Sequence, residues 1–364
     1  MSTVLDDFRL IQSNNSAEIH APFDHLRSQC PVVYTSENDG FWQLTRYEDI
    51  KGSTSDSGLH IFSVKEVIPS DPRGIRRPLL NTESPAHTPY RTALDRTLKP
   101  ARIQRFEPVL TSHAQRKLSK FVSCGGGDVC ADFAAPLAAW VKVSLLNLSD
   151  GLAPEPATTA SKWRNAWRDQ NGPETTTQSR KMYTMAEDLL QDRRASPQDP
   201  EQDPASSLLL EKDADSQPLS DDLLIGCLCQ SLVVGMVAPP ILIGSMCNHL
   251  ARDKALQQEL RAKQSLIPSA AEEFVCLYAP YCGFCRSPSR PIEIRGRVIQ
   301  PTEPISMTYA ASNRYPVVRA RALQIASRVI LQATSDFEVV GPLQYAKMPE
   351  MGITSCPLKV TSTR

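Results

Sequence analysis

Leu223 to Met246 reads LLIGCLCQSLVVGMVAPPILIGSM, 24 residues without a charge. A run of that length suits either a bilayer or the middle of a large hydrophobic core. Gln230, Ser231 and the Pro239–Pro240 pair interrupt it, and Asp221–Asp222 flank its start. The rest of the chain favours the core. At 364 residues it is long enough to bury a substantial interior. Forty basic residues balance forty acidic ones, and there is no basic block, so a nucleic-acid partner is not expected. The opening MSTVLDDFRLIQSNNSAEIH carries no apolar run. Neither a secretory signal nor a membrane anchor is expected, and the predicted location is cytoplasmic.

Ten cysteines are spread from Cys30 to Cys356. Several lie in apolar helical stretches, where a free thiol packs as a small hydrophobe. Without a signal segment they are expected to be reduced. Cys282-x-x-Cys285 and Cys227-x-Cys229 lack a second pair at zinc spacing, so no metal site is predicted.

The pattern along the chain is mostly α with small β sheets. GFWQLTRY (40–47) reads as a strand, and TPYRTALDRTLKP (88–100) as a helix ending at Pro100. Helical periodicity continues to about Leu148 around a loop, CGGGD (124–128). ASKWRNAWRDQ (160–170) and SRKMYTMAEDLLQDRR (179–194) predict a helical hairpin. The polar loop 195–207 fits an interdomain linker or a surface loop equally well. A long helix over about 220–253 follows, then a helix from Ser269 to Tyr278. A small β region spans about 285–312, with a hairpin turning at Arg295–Gly296.

Five segments, in this order, resemble a cytochrome P-450 of the soluble, bacterial-like type over nearly the whole length, residues 1–364 as one domain. DGFWQLTRYEDI is similar to the first sheet and TESPAHTPYRTALDRTLKPARIQRFEP to the entry into the C helix. LSDDLLIGCLCQSLVVGMVAPPILIGSMCNHLARD resembles the central I helix, SAAEEFVCLYAP the K helix, and CRSPSRPIEIRGRVIQPTEPISMTYAASNRYP the sheet that follows.

The resemblance also shows what is missing. In this family a meander and a loop carrying the thiolate ligand of haem iron separate the Asn-Arg-x-Pro turn from the last long helix. Here Val317 to Ala320 alone lie between Pro316 and Arg321, where that helix resumes. Four residues cannot build such a loop at about 3.3–3.6 Å of reach each, and none is cysteine. The acid and hydroxyl of the I helix, which pass protons to bound dioxygen in the family, are absent from Gly235, Met236, Val237, Ala238 and Pro239. In the K-helix Glu-x-x-Arg pair Glu273 remains, but Cys276 stands in the Arg position. The expectation is a degenerate, haem-free P-450-like fold without the meander and Cys-ligand loop, needing no cofactor or metal.

His87, Arg91 and Arg286 match residues that hold the haem propionates. They are inherited polar groups, residual haem contacts, or an anion pocket suited to a substrate carboxylate. An apolar pocket is expected from Ile61, Phe62, Val234, Met236, Val237, Tyr281, Gly283, Phe284 and Ile353, with Trp163, Trp167 and Met182 as a lid. The Pro pair should distort the central helix. Besides a residual haem protein of altered chemistry, two functions are compatible with what remains. One is a non-redox cyclase, a pericyclase of the [4+2] Diels–Alderase type, folding a hydrophobic terpenoid or polyketide intermediate in secondary metabolism. The other is a non-catalytic partner that stabilises or activates a glycosyltransferase, as some haem-lacking relatives do.

Overall fold

The computed structural model describes residues 8–9, 16–56, 58–61, 67–73, 82–301, 303–312 and 320–363. The junction at 313–319 and Phe62 lie outside the described residues, as do the side chains of Ile61 and Val234.

The uncharged stretch forms one helix, Asp221–Arg252, of 32 residues. Asp221 and Asp222 occupy its first turn and Arg252 its last, each sign opposing the helix dipole. Of its most apolar window, 71% is buried inside the protein. Its apolar faces are therefore taken by protein neighbours, which explains a composition otherwise suited to lipid. Helices Ala135–Leu145, Pro154–Arg168, Gly172–Ala195 and Ala320–Ala333 pack around it.

Pro239 and Pro240 fall inside this helix, which continues through them. Because neither can donate, the carbonyls of Gly235 and Met236 lose their usual i+4 partners. The Pro pair also marks a seam in the core. Upstream, Leu224, Leu228, Leu232 and Met236 join the cluster built on Trp163, Trp167 and Met182. Downstream, Leu242, Met246 and Leu250 join the one built on Phe133, Phe274 and Phe337.

Five short strands form one sheet in the spatial order Val32–Thr35, Phe41–Leu44, Ile305–Met307, Phe284–Pro288, His60–Ile61. Phe41–Leu44 runs parallel to Ile305–Met307 with Trp42 opposite Ile305, so two distant stretches of chain share a ladder. Ile292–Ile294 and Arg297–Ile299 make the expected hairpin. Its turn residues Arg295 and Gly296 have φ of 50° and 76°, the left-handed pair that a two-residue turn of this hand requires.

Two local expectations are corrected. The first helix of the quoted pair ends at Thr97, and Pro100 opens the next, Pro100–Ser123, where its missing N–H costs nothing. The glycine run is not a loop throughout: Gly126–Asp128 is a strand paired with Pro357–Ser362. A β-carbon on Gly126 would lie 2.0 Å from the Leu358 carbonyl oxygen, so only glycine allows that approach. The polar loop after Ala195 is pinned at its far end, where buried Asp203 caps helix Pro204–Leu210 and binds Arg193.

Candidate functional site

Four pieces of chain meet beside the Pro seam: the strand after helix Ile267–Leu277, the hairpin Gln344–Ser355, helix Pro154–Arg168, and the central helix. The hairpin is laced to the segment at 280–282. Met351 N–H donates to the Pro280 carbonyl at 3.0 Å and Cys282 N–H to the Pro349 carbonyl at 2.9 Å. Its descending strand then crosses the central helix at 241–245. The Ile353 N–H donates to Ser245 Oγ at 3.2 Å. Gly352, at φ 106°, leaves no room for a β-carbon, which would meet Ile241 Cγ2 at 2.7 Å.

Of the predicted wall residues, Tyr281 and Phe284 stand with ring centroids 5.7 Å apart, and Phe284 is 6.1 Å from Tyr309. Phe284 also packs on the cluster that includes Met236. Val237 is buried in the central helix. Ile353 lies across the seam in the other cluster, so the structure does not bring it against Met236. Gly283 abuts backbone: a β-carbon there would stand only 2.1 Å from the Met307 carbonyl oxygen. Trp163, Trp167 and Met182, expected as a lid, are buried between the hairpin helices and the central helix. Trp163 Nε1 donates to Ser179 Oγ at 3.0 Å, which also accepts from Arg73.

The three propionate-matching residues are differently engaged. Arg91 points outward, its Nε 2.8 Å from Asp95 Oδ2, with side chains 67% and 53% exposed. Arg286 donates to the carbonyls of Ser53 and Thr54 at 3.2 Å each, fixing the end of helix Tyr47–Ser55. Burial lowers the Arg286 pKa, opposed by the fields of Tyr309 and Glu83. Burial, then the charge of Arg91, lowers the pKa of His87, and Glu83 opposes that shift too. His87 and Arg286 thus share the field of one carboxylate, while Arg91 is committed to another.

A group that sequence reasoning missed is more unusual. Arg164 and Arg168 are spaced i, i+4 on helix Pro154–Arg168. Arg168 Nε donates to Glu350 Oε2 at 2.7 Å, with side chains only 9% and 7% exposed. Arg164 lies in the field of Arg168, Glu350, Cys130 and Tyr281, and burial pulls its pKa down to about 10. Among the described residues Arg164 Nε and Arg168 Nη2 are buried without a hydrogen-bond partner. The signal available in the sequence was two Trp-Arg pairs four residues apart, Trp163–Arg164 and Trp167–Arg168, which place both cations on one face of the helix, about 100° round from the two tryptophans.

No family model matches the chain. Curated relatives do. It is 25% identical over 316 residues to linalool 8-monooxygenase of Pseudomonas putida, covering 81% of this chain and 76% of that one. It is 26% identical over 303 residues to vitamin D(3) 25-hydroxylase of Pseudonocardia autotrophica, covering 81% and 73%. A solved Mycobacterium marinum cytochrome P450 in complex with pseudoionone superposes with a TM-score of 0.85 at 19% identity, covering 98% of this chain and all of that one. The chain has the cytochrome P450 fold. A mutant of P450 EryK in complex with erythromycin B shares the fold at a TM-score of 0.81 and 17% identity, covering 96% and 98%.

Haem in a P450 is held by a cysteine thiolate, and the thiols available here do not fit that task. No cysteine occurs between Cys285 and Cys356. Cys227, Cys282 and Cys356 are buried, and burial pushes each up to about 12. Cys130 is raised further by burial and the charge of Asp128, and Cys247 by burial and the fields of Cys356 and Cys130. A ligand thiolate needs an environment that lowers its pKa, the reverse of these. Cys285 is buried beside Phe41 and Ile68 in the sheet. Glu273, left over from the family's ion pair, is exposed.

Proposed function

We propose that this P450-fold chain, one domain over residues 1–364, is a haem-independent, non-redox cyclase. Its substrate is a hydrophobic terpenoid or polyketide intermediate of secondary metabolism, and its reaction a pericyclic closure of the [4+2] type. The observation that carries the proposal is the 70-residue interval between Cys285 and Cys356 with no thiol in it, together with the raised pKa of the buried thiols. The named relatives are oxygenases and hydroxylases. Their chemistry requires a ligand that this chain does not offer.

What remains is shape. Solved neighbours with this fold hold pseudoionone and erythromycin B, both largely apolar. A pericyclic closure needs no nucleophile and no metal. It needs the reacting carbons held together, and well-oriented binding supplies up to about 7–11 kcal/mol in the best cases. A donor aimed at a carbonyl that gains charge adds a few kcal/mol.

Absorbance and turnover test the reading together. The purified protein, supplied with haem, is expected to show no thiolate-type Soret band with carbon monoxide. It is expected to close a linear triene–dienophile polyketide faster than buffer does. A thiolate Soret band would establish an oxygenase instead. Bound substrate with no acceleration would leave a non-catalytic binding partner, such as one activating a glycosyltransferase.

A further inference from the structure

We propose that Arg164 and Arg168 form a carboxylate-binding site, so that the ligand of this fold carries a single negative charge. This names the ligand class of the site proposed above and rests on that reading only for what happens after binding. The argument begins with charge. Two guanidinium groups stand on one face of helix Pro154–Arg168, and Glu350 balances one of them. Cys130, the thiol in the same field, stays neutral because burial raises its pKa. The described residues therefore leave one buried positive charge uncompensated.

Geometry adds to this. Arg168 spends Nε on Glu350, while its Nη2 and the Nε of Arg164 are buried donors without partners. Buried donors are rarely left unmade, because each one costs free energy that folding does not return. Two forks offering free N–H groups suit the paired oxygens of a carboxylate. The residual charge of one favours a carboxylate over a diphosphate, which carries more charge than the site can balance.

The position suits a ligand as well. Glu350 sits on the hairpin laced to 280–282, and its backbone bridges Tyr281. Trp163 and Trp167, each one residue before an arginine, cross edge-to-face at 4.7 Å. The apolar body of a ligand would thus extend from the arginines toward Tyr281 and Phe284. By contrast, Arg91 is committed to Asp95, and Arg286 to backbone carbonyls.

The test uses three matched pairs of probes: decanoic, farnesoic and abietic acids and their methyl esters. Binding is read by quenching of tryptophan fluorescence and by calorimetry. The native chain is expected to bind at least one acid about tenfold or more tightly than its ester, the usual discrimination of a charge-assisted fork. Arg164→Gln should erase most of that preference by weakening the acid far more than the ester. The same variant should melt at the native temperature or above, because it removes a like charge from beside Arg168. A merely structural arginine would lower the melting temperature instead. Arg164→Lys should restore part of the preference. Equal affinity for acid and ester in all three pairs, or a marked loss of stability in Arg164→Gln, would overturn the proposal. Neither outcome bears on whether the bound ligand is then cyclised.

Discussion

Lys142 lies against Gly235: a β-carbon on that glycine would be 1.4 Å from the lysine Cε and 2.4 Å from Nζ. The contact joins helix Ala135–Leu145 to the turn of the central helix whose carbonyl loses its donor to Pro239.

Gly235→Ala and Gly283→Ala should therefore differ. At Gly235 the obstacle is the far end of a flexible side chain, and alanine gains up to about 1 kcal/mol of helix propensity. Its net effect on unfolding free energy should stay within about 1 kcal/mol of zero. At Gly283 the obstacle is the Met307 backbone at 2.1 Å, which cannot swing away. That variant should lose about 1–3 kcal/mol, read by urea unfolding. Equal losses would show that Lys142 is held rigidly.

Asp203 is fully buried, caps the helix Pro204–Leu210 through Ser206 N–H at 2.7 Å, and pairs with Arg193 Nε at 3.1 Å. Asp203→Ala would remove the helix cap and leave buried Arg193 with exposed Asp192 as its remaining carboxylate. The expected loss is about 3 kcal/mol. Exposed Lys99 and Glu201 form an ion pair in the same region, and Glu201→Ala should change stability by less than about 1 kcal/mol. A loss at Asp203 no larger than at Glu201 would remove the pin from the account of this loop.

His113 stacks on Trp140 with ring centroids 3.9 Å apart, and neither ring nitrogen has a partner among the described residues. Burial lowers its pKa to about 4 from 6.5, helped by Lys117 and Arg116 and opposed by Asp150. The neutral ring is the form the fold accepts. Stability is thus fully present above the unfolded value of 6.5 and is lost as pH falls toward 4. Because the ring edge borders an open groove beside Lys117, the loss should be on the order of 1–2 kcal/mol. His113→Phe keeps the stack and cannot titrate. Thermal melts at pH 7 and pH 4.5 should show a smaller acid loss in that variant than in the native chain. Parallel curves would mean that the ring is protonated in place.

Thiol chemistry offers a fourth check. Cys124 is exposed, Cys30 and Cys276 are half-buried, and the other seven cysteines are buried. A thiol reagent at neutral pH should label one site quickly, two slowly and seven only in denaturant. Fast labelling of Cys282 or Cys285 would mean that the strand Phe284–Pro288 opens readily.

What could be read from the residues depended on range. The central helix was legible because 24 uncharged residues leave few alternatives, and the Arg295–Gly296 turn because two left-handed positions between alternating strands have one common solution. Strand Gly126–Asp128 was not legible. Glycine has no strand preference, and the partner strand starts at Pro357, more than two hundred residues away. The arginine site failed for the same reason, since Arg168 and Glu350 are 182 positions apart. The anion-binding expectation named His87, Arg91 and Arg286 by resemblance, whereas the unsatisfied guanidinium donors emerge only where the hairpin Gln344–Ser355 meets helix Pro154–Arg168.

Strand Pro357–Ser362 lies between Gly126–Asp128 and Thr334–Val339, hydrogen-bonded to both. Both flanks precede in the chain the strand that joins them, so during synthesis they wait for 357–362 to emerge before this part of the molecule can close. A chain cut before Pro357 would lack the seam that fastens them.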